Sequence, residues 1–224
     1  MLPTKPADAI RQIRANYEWM THTHLLWQHV LATRRTDLIP HIASAICHPT
    51  TPVLITAIVM KRTPELQALV DVLRAPNHAA IRHCVSTNNQ DAFGILIKYG
   101  HTPTPSERLE LVSIAAAKQI RWAFDRFATA ETATASILVS CLNAPDWSYT
   151  TKFVNARVPM IEVVAHVVQH RNYPMTVKLH MCLMLQPERY ATELVILQTH
   201  IAQRRMDSIQ TTFRLANVHL EFHR

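Results

Sequence analysis

The sequence predicts an all-α protein, a solenoid of about six stacked helix-turn-helix repeats with capping helices at both ends. Two observations predict this fold. Apolar residues recur with a period of about 27 residues, and each period contains two stripes with helical spacing. The chain also has two glycines among 224 residues, too few for the tight turns of an all-β domain, a dinucleotide fingerprint or a Walker loop.

The repeat has apolar residues at positions 0, +3 and +4, and again at +12, +15 and +16. Two such stripes separated by a break indicate two short antiparallel helices. Four successive units start at Trp27, Leu54, Ile81 and Arg108, and Arg108 alone breaks the apolar pattern. A looser fifth unit starts at Leu138 and a sixth at Val164. From this register we expect a buried core that includes Leu54, Ile58, Leu69, Ile81, Val85, Phe93 and Leu96.

Start and stop signals fall at the edges of these units. Thr51-Pro52 and Thr63-Pro64 suit an N-cap followed by proline at the first helical position, and Asn77 and Ser106 also suit N-caps. Gly100 suits a left-handed helix stop. We therefore expect one domain over 1–224, with an N-terminal cap in 1–22 (a helix around 7–20), repeats over 23–186 and C-terminal capping helices in 187–224, roughly 188–204 and 207–220.

Two of the units resemble the ankyrin repeat. In the third unit the resemblance lies in Ala79-Ala80-Ile81, in the polar turn Asn88-Asn89-Gln90-Asp91 and in Leu96-Ile97-Lys98-Tyr99-Gly100. In the second, Thr51-Pro52-Val53-Leu54 stands where the family has Thr-Pro-Leu-His. The match is best over 51–100, and the period is shorter than the roughly 33 residues of ankyrin, so the β-turn finger is expected to be trimmed or missing. The resemblance implies a degenerate ankyrin-like solenoid that binds other macromolecules.

Composition favours a soluble protein in a reducing compartment. Cys47, Cys84, Cys141 and Cys182 have wide, irregular spacings, which favours free thiols in the cytoplasm or inside a host cell. No apolar run approaches the ~20 residues of a membrane span, and the first residues lack the apolar core of a signal peptide. We expect no membrane association. A viral or effector origin is compatible with the composition, which does not identify the source.

No arrangement of side chains in the sequence predicts catalysis. His166 and His170 are one helical turn apart, but Val167 replaces the glutamate of HExxH and no further ligand has a recognisable spacing. Cys84 follows His83 directly, so on a helix the two side chains diverge. Glu107 and Glu110 fit a solvated first helical turn. We expect no enzymatic activity, no metal and no cofactor.

Basic residues instead mark the turns between the paired helices. Lys and Arg outnumber Asp and Glu by 23 to 16, a net charge of +7. Arg34-Arg35 and Lys61-Arg62 occupy the same positions in successive units, and Arg171 returns there in the sixth. Equal register in a solenoid places residues on one edge. These five residues are the candidate binding site, for a protein partner or, as the alternative, for RNA or DNA. Asn88-Asn89 and Ala115-Ala116 take these positions in the third and fourth units, and basic residues are also common in solvated turns.

Overall fold

The chain folds into helices joined by short loops, as the sequence predicts. A computed structural model describes residues 2–74, 77–100 and 102–221, with side chains as far as residue 207. Within those ranges it contains α-helices and two short 3₁₀ helices, and no strand. Contacts divide the chain into two compact units, Met1–Ile114 and Ala115–Arg224.

The first unit contains eight helices and the start of a ninth. Their bounds are α1 Pro6–Ala15, α2 Tyr17–Thr21, α3 Thr23–Ala32, α4 Ile39–Ala45, α5 Thr51–Val59, α6 Thr63–Leu73, α7 His78–Ser86, α8 Gln90–Leu96 and α9 Pro105–Lys118. A 3₁₀ helix at Thr36–Leu38 precedes α4. Helices α3, α5 and α7 contact one another in order, and so do α4, α6 and α8. The three hairpins of this unit therefore stack in two layers.

The core of the first unit is the one that the repeat predicts. All seven residues expected to be buried are at most 4% exposed. They come from α5, α6, α7 and α8, and each stripe faces the neighbouring layer. Burial of one apolar stripe per helix is the main stabilisation available to helices of seven to eleven residues, which are too short to be stable alone.

The second unit repeats the same alternation of helix contacts. Its helices are α10 Arg121–Phe127, α11 Ala135–Asn143, α12 Ser148–Asn155, α13 Ile161–Gln169, α14 Tyr173–Leu183 and α15 Ala191–Glu221, with a 3₁₀ helix at Ala130–Thr132. Helices α11, α13 and α15 contact in order, as do α12 and α14. The Phe124 ring of α10 packs edge-on against Tyr149 at 4.7 Å and Phe153 at 5.5 Å on α12.

The turns share one backbone geometry that does not use glycine. Seven non-glycine residues at these turns have a left-handed φ of 49–60°, namely Arg34, Lys61, Arg74, Asn88, Gln119, Arg157 and Arg171. Five of the seven are basic. In most of them the following N–H donates to the carbonyl five residues earlier, as from Arg62 to Ala57 at 2.9 Å and from Asn89 to Cys84 at 2.8 Å. This is the Schellman end of a helix. Gly100 is also left-handed, with φ 80°, as expected.

The turn between the paired helices of the fourth unit lies later in the sequence than the 27-residue period predicts. Helix α9 has fourteen residues where α5 and α7 have nine, so the turn falls at Gln119 and the prediction of Ala115-Ala116 is wrong. The added length is about one helical turn, which keeps the apolar stripe in phase. Phe124 and Phe127 of α10 are therefore buried at the positions that Leu66 and Leu69 hold in α6.

Several helix ends also differ from the sequence prediction. Asn77 caps α7 as expected, accepting from the Ala80 N–H at 3.0 Å, but Thr104 and not Ser106 caps α9. Thr51 and Thr63 are first helical residues rather than N-caps. The N-terminal cap is two helices, α1 and α2, and the two C-terminal segments form the single helix α15.

Candidate partner-binding site

The predicted basic turn residues fall into two groups in the structure. Arg34, Lys61 and Arg171 are exposed, and none of their side chains forms a hydrogen bond or ion pair within the described ranges. Arg34 and Lys61 follow α3 and α5 of the first unit, and Arg171 follows α13 of the second. Each occupies the left-handed position after a helix, where a cation also offsets the negative end of the helix dipole. Their charges are available to a partner.

Arg35 is committed to an internal contact. Its Nε and one Nη donate to the two carboxylate oxygens of Asp37, both at 2.8 Å. The guanidinium also donates to the carbonyl oxygens of Pro3 at 2.8 Å and Thr4 at 3.2 Å. The Arg35 hydrogen bonds hold the pKa of Asp37 below its usual value. Arg35 therefore ties the start of the chain to the first turn, and its charge is largely neutralised.

Lys61 and Arg62 line a groove between the second and third turns. The groove has a volume of about 570 Å³ and lies between the start of α6 and the start of α8. Its floor includes the buried side chains of Ile58, Leu66 and Ala92. The turn before α6 contributes Lys61, Arg62 and Thr63 to the lining, and the turn before α8 contributes Thr87, Asn88, Asn89, Gln90 and Asp91. Successive turns that share one groove place the second and third repeats side by side at this edge.

The groove offers several polar groups over an apolar floor. The Arg62 Nε is buried and has no hydrogen-bond partner among the described residues, so a ligand oxygen would satisfy it. Lys61 adds an exposed ammonium group. In the turn before α8, Asn89 accepts with its Oδ1 from the Ala92 N–H at 3.0 Å and so caps α8, while Gln90 and Asp91 are exposed. The site therefore combines two cations, amide groups and one carboxylate.

The amide side chains of Asn88 and Asn89 were not predicted as part of the candidate site. Asn88-Asn89 were recognised at the register of the basic pairs, but as an interruption of the basic edge. The structure shows that they line the same groove as Lys61 and Arg62. Their repeat position could have predicted this, because residues at the same position of successive repeats lie next to each other in a stack.

The carboxylate and histidine residues considered for catalysis form structural contacts. Glu107 accepts from the Thr104 N–H at 2.8 Å, which closes a capping box on α9. Glu110 pairs with Arg82 at 2.7 Å and with the His78 Nε2 at 2.9 Å, and so links α9 to α7. The His166 and His170 rings stack at 4.1 Å, and the described ranges contain no group of three or more His, Cys, Asp or Glu able to hold a metal ion.

The four cysteines are free thiols, three of them buried. Burial raises the pKa of Cys84 and of Cys141 to about 12, so neither is a nucleophile near neutral pH. Cys84 belongs to the core of the first unit. Cys84 and the neighbouring His83 therefore do not form a nucleophile and base pair.

Comparison with protein-family models, with curated proteins and with solved structures found no match to this chain. No helix in the described part of the chain has both the length and the hydropathy needed to cross a membrane.

Proposed function

We propose that this chain is a non-enzymatic helical-repeat protein that binds a protein partner, and that the groove between Lys61 and Asn88 is its binding site in the first unit. The hairpins of both units would belong to one degenerate, ankyrin-like series of six repeats. The observation that supports this proposal best is the groove itself. Two turns in the same backbone conformation line one groove with an apolar floor, and the Lys61 ammonium and the Arg62 Nε there have no partner among the described residues.

The chemistry of the groove favours an acidic, extended segment of polypeptide. Lys61 and Arg62 would bind carboxylates, with the buried Arg62 Nε as the donor that lacks a partner. Amide side chains both donate and accept, so they suit the alternating N–H and C=O groups of an extended main chain. The floor at Ile58 and Leu66 would take small apolar side chains.

Two observations favour protein over nucleic acid as the partner. The positive charge does not continue along the edge, because Arg35 is neutralised by Asp37 and the third turn has Asn88 in place of a cation. A nucleic-acid site needs an extended basic stripe.

The experiment is selection of peptides from a random library on the immobilised full chain. We expect enrichment of acidic sequences, with binding at least about ten-fold weaker to Lys61→Gln and to the double variant Lys61→Gln/Arg62→Gln. Arg11→Gln, which removes an exposed cation from α1, is the matched control and should bind as the wild type does. Circular dichroism checks that each variant is folded.

Two outcomes would count against the proposal. The first is selection that yields no acidic consensus, or a consensus whose binding is unchanged by Lys61→Gln. The second is binding of oligonucleotides that weakens steeply with salt and is lost in Lys61→Gln, which would assign the groove to nucleic acid instead.

A further inference from the structure

Four threonines in the chain directly precede a proline, which is the pair that proline-directed protein kinases recognise. They are Thr51, Thr63, Thr102 and Thr104. Only Thr63 follows basic residues, because Lys61 and Arg62 come directly before it. Thr63 is also the first residue of α6 and lines the groove proposed as the binding site.

The hydroxyl groups of these threonines differ in their contacts. The Thr51 Oγ1 accepts from the Asn77 Nδ2 at 2.5 Å, and the Thr104 Oγ1 donates to a Glu107 carboxylate oxygen at 3.0 Å. Thr63 is exposed, and its hydroxyl has no hydrogen-bond partner among the described residues. The Thr63 hydroxyl is therefore available for modification without the loss of an internal contact.

The backbone at Thr63 is held by few helical hydrogen bonds. The Thr63 N–H is the first of α6 and has no acceptor within the helix, and Pro64 has no N–H. Helix ends open locally at a small cost in free energy. A kinase binds its substrate in an extended conformation, so local opening of the first turn of α6 is enough to present Thr63.

A phosphate on Thr63 would lie beside groups that stabilise it. Lys61 and Arg62 line the same groove, and the buried Arg62 Nε has no partner among the described residues. Helix α6 has eleven residues, and no side chain of its N-cap residue caps it. A phosphate at its first residue would therefore gain from the positive end of the helix dipole as well as from the two cations.

The nearby carboxylates oppose this phosphate only weakly. Glu65 is two residues further along α6, so its side chain points to a different side of the helix. It is buried and accepts from the Thr36 Oγ1 at 3.2 Å. Asp91 lines the groove from the start of α8, but it is exposed to water and salt, which screen its charge.

We propose that Thr63 is a phosphorylation site, and that its phosphate binds Lys61 and Arg62 and so blocks acidic partners from the groove. The phosphoryl donor is ATP. The Thr63 Oγ1 bonds to the γ-phosphorus as the bond to the β–γ bridging oxygen breaks, ADP leaves, and the hydroxyl proton passes to the catalytic aspartate of the kinase. The effect on partner binding rests on the function proposed for the groove, whereas the modification and the phosphate contacts do not.

The first experiment treats the folded full chain with a recombinant proline-directed kinase and ATP, and maps the phosphate by peptide mass spectrometry. We expect modification of Thr63 and of the exposed Thr102, which serves as the reference site. Modification of Thr51 and Thr104 should be at least about ten-fold slower, because their hydroxyls are hydrogen-bonded. A chain without phosphate at Thr63, whatever the state of Thr102, would refute the proposal.

The second experiment asks whether the phosphate binds the two cations. In a Thr102→Ala background, ³¹P NMR follows the second ionisation of phospho-Thr63, whose pKa is about 6 when the group is free. We expect a lower pKa in the folded chain than in urea, because the cations favour the dianion. Lys61→Gln/Arg62→Gln should remove most of the difference. An equal pKa in the folded and unfolded chain would rule out the contact.

The third experiment measures binding of an acidic peptide selected on the unmodified chain, again with Thr102→Ala. Phosphorylation of Thr63 should weaken this binding at least about ten-fold, and phosphatase treatment should restore it. Unchanged binding of a peptide that Lys61→Gln weakens would show that the phosphate does not block the groove. Failure of the proposed function would instead appear as no acidic peptide bound before phosphorylation, and the first two experiments need no peptide. Circular dichroism checks the fold of each preparation.

Discussion

Lys61 and Asn88 lie 27 residues apart and have the same left-handed backbone conformation, with φ of 53° and 55°. Both line the groove proposed as the binding site. In each case the next N–H donates to the carbonyl five residues earlier. The two turns therefore have the same backbone geometry although their side chains differ, with a cation in one turn and an amide in the other.

Replacing Lys61 with glycine should stabilise the protein by about 0.5 to 1 kcal/mol. A left-handed φ strains any residue with a Cβ, and glycine removes that strain at some cost in unfolded-state entropy. Ser113→Gly, at an exposed position inside α9, should instead destabilise by about 0.5 to 1 kcal/mol. Urea unfolding of both variants checks this. If both changes destabilise equally, the turn at Lys61 is not left-handed in solution.

Asp37→Asn should destabilise the protein at neutral pH and have a smaller effect in acid. The Arg35 hydrogen bonds lower the pKa of Asp37 below its usual 3.8, so the carboxylate contributes stability above that pH and loses the contribution as pH falls through the lowered value. We therefore expect the difference between wild type and variant in unfolding free energy to shrink from pH 7 to pH 3. Asp91→Asn, at an exposed carboxylate that makes no hydrogen bond in the described ranges, is the control. A difference that is constant over this range would argue against the pair.

The helical stripes were predictable because they depend on local spacing. Leu54, Ile58, Leu69 and Phe93 are buried as expected, since an i, i+3, i+4 stripe must face the neighbouring layer whatever the loops do. The fourth turn was not predictable from the same signal. An insertion of one helical turn into α9 leaves the stripe in phase, so a period search does not detect it.

The residues of the candidate site could be identified in part from the sequence. Equal register identified Lys61 and Arg62, but it did not separate them from Arg35, whose bidentate contact depends on Asp37 two residues later. The presence of Asp37 in the sequence could therefore have predicted that Arg35 is paired. The length of α15 was missed because the prediction divided this region into two segments, roughly 188–204 and 207–220. Arginine favours helices, and no glycine or proline lies between Pro187 and Glu221 to end one.

The cysteines should differ sharply in their reaction with iodoacetamide. Burial raises the pKa of Cys84 and Cys141 to about 12, while Cys47 is only half-buried. At pH 8 we expect alkylation of Cys84 and Cys141 to be at least about 100-fold slower in the folded protein than in urea, because the thiolate is the reactive form. Cys47 should react first. Peptide mass spectrometry of a time course measures each site, and equal rates at Cys47 and Cys84 would contradict their burial.

Lys178→Met should destabilise the protein by about 1 to 3 kcal/mol, because it leaves carbonyl oxygens without a donor. The half-buried Lys178 ammonium donates to the Leu142 carbonyl at 3.0 Å and also to that of Ala144, at the end of α11. Methionine keeps the apolar stem but provides no N–H. Lys61→Met, at an exposed and unpaired lysine, should change stability by less than about 0.5 kcal/mol. Similar unfolding midpoints for the two variants would mean that Lys178 does not cap α11.

Leu69→Ala should cost about 2 to 5 kcal/mol, the range for a large side chain removed from a packed core. Leu69 is 0% exposed on α6, which contacts α4, α5 and α8, so truncation leaves a cavity that the neighbouring helices cannot easily fill. Val59→Ala on α5 of the same hairpin is the matched control, since Val59 is 63% exposed and should change stability by less than about 0.5 kcal/mol. Urea unfolding followed by circular dichroism measures both, with a probe in each unit where the transitions separate. Comparable losses at Leu69 and Val59 would show that α6 presents a different face to the core, and the two-layer stacking of α3 to α8 would then be wrong.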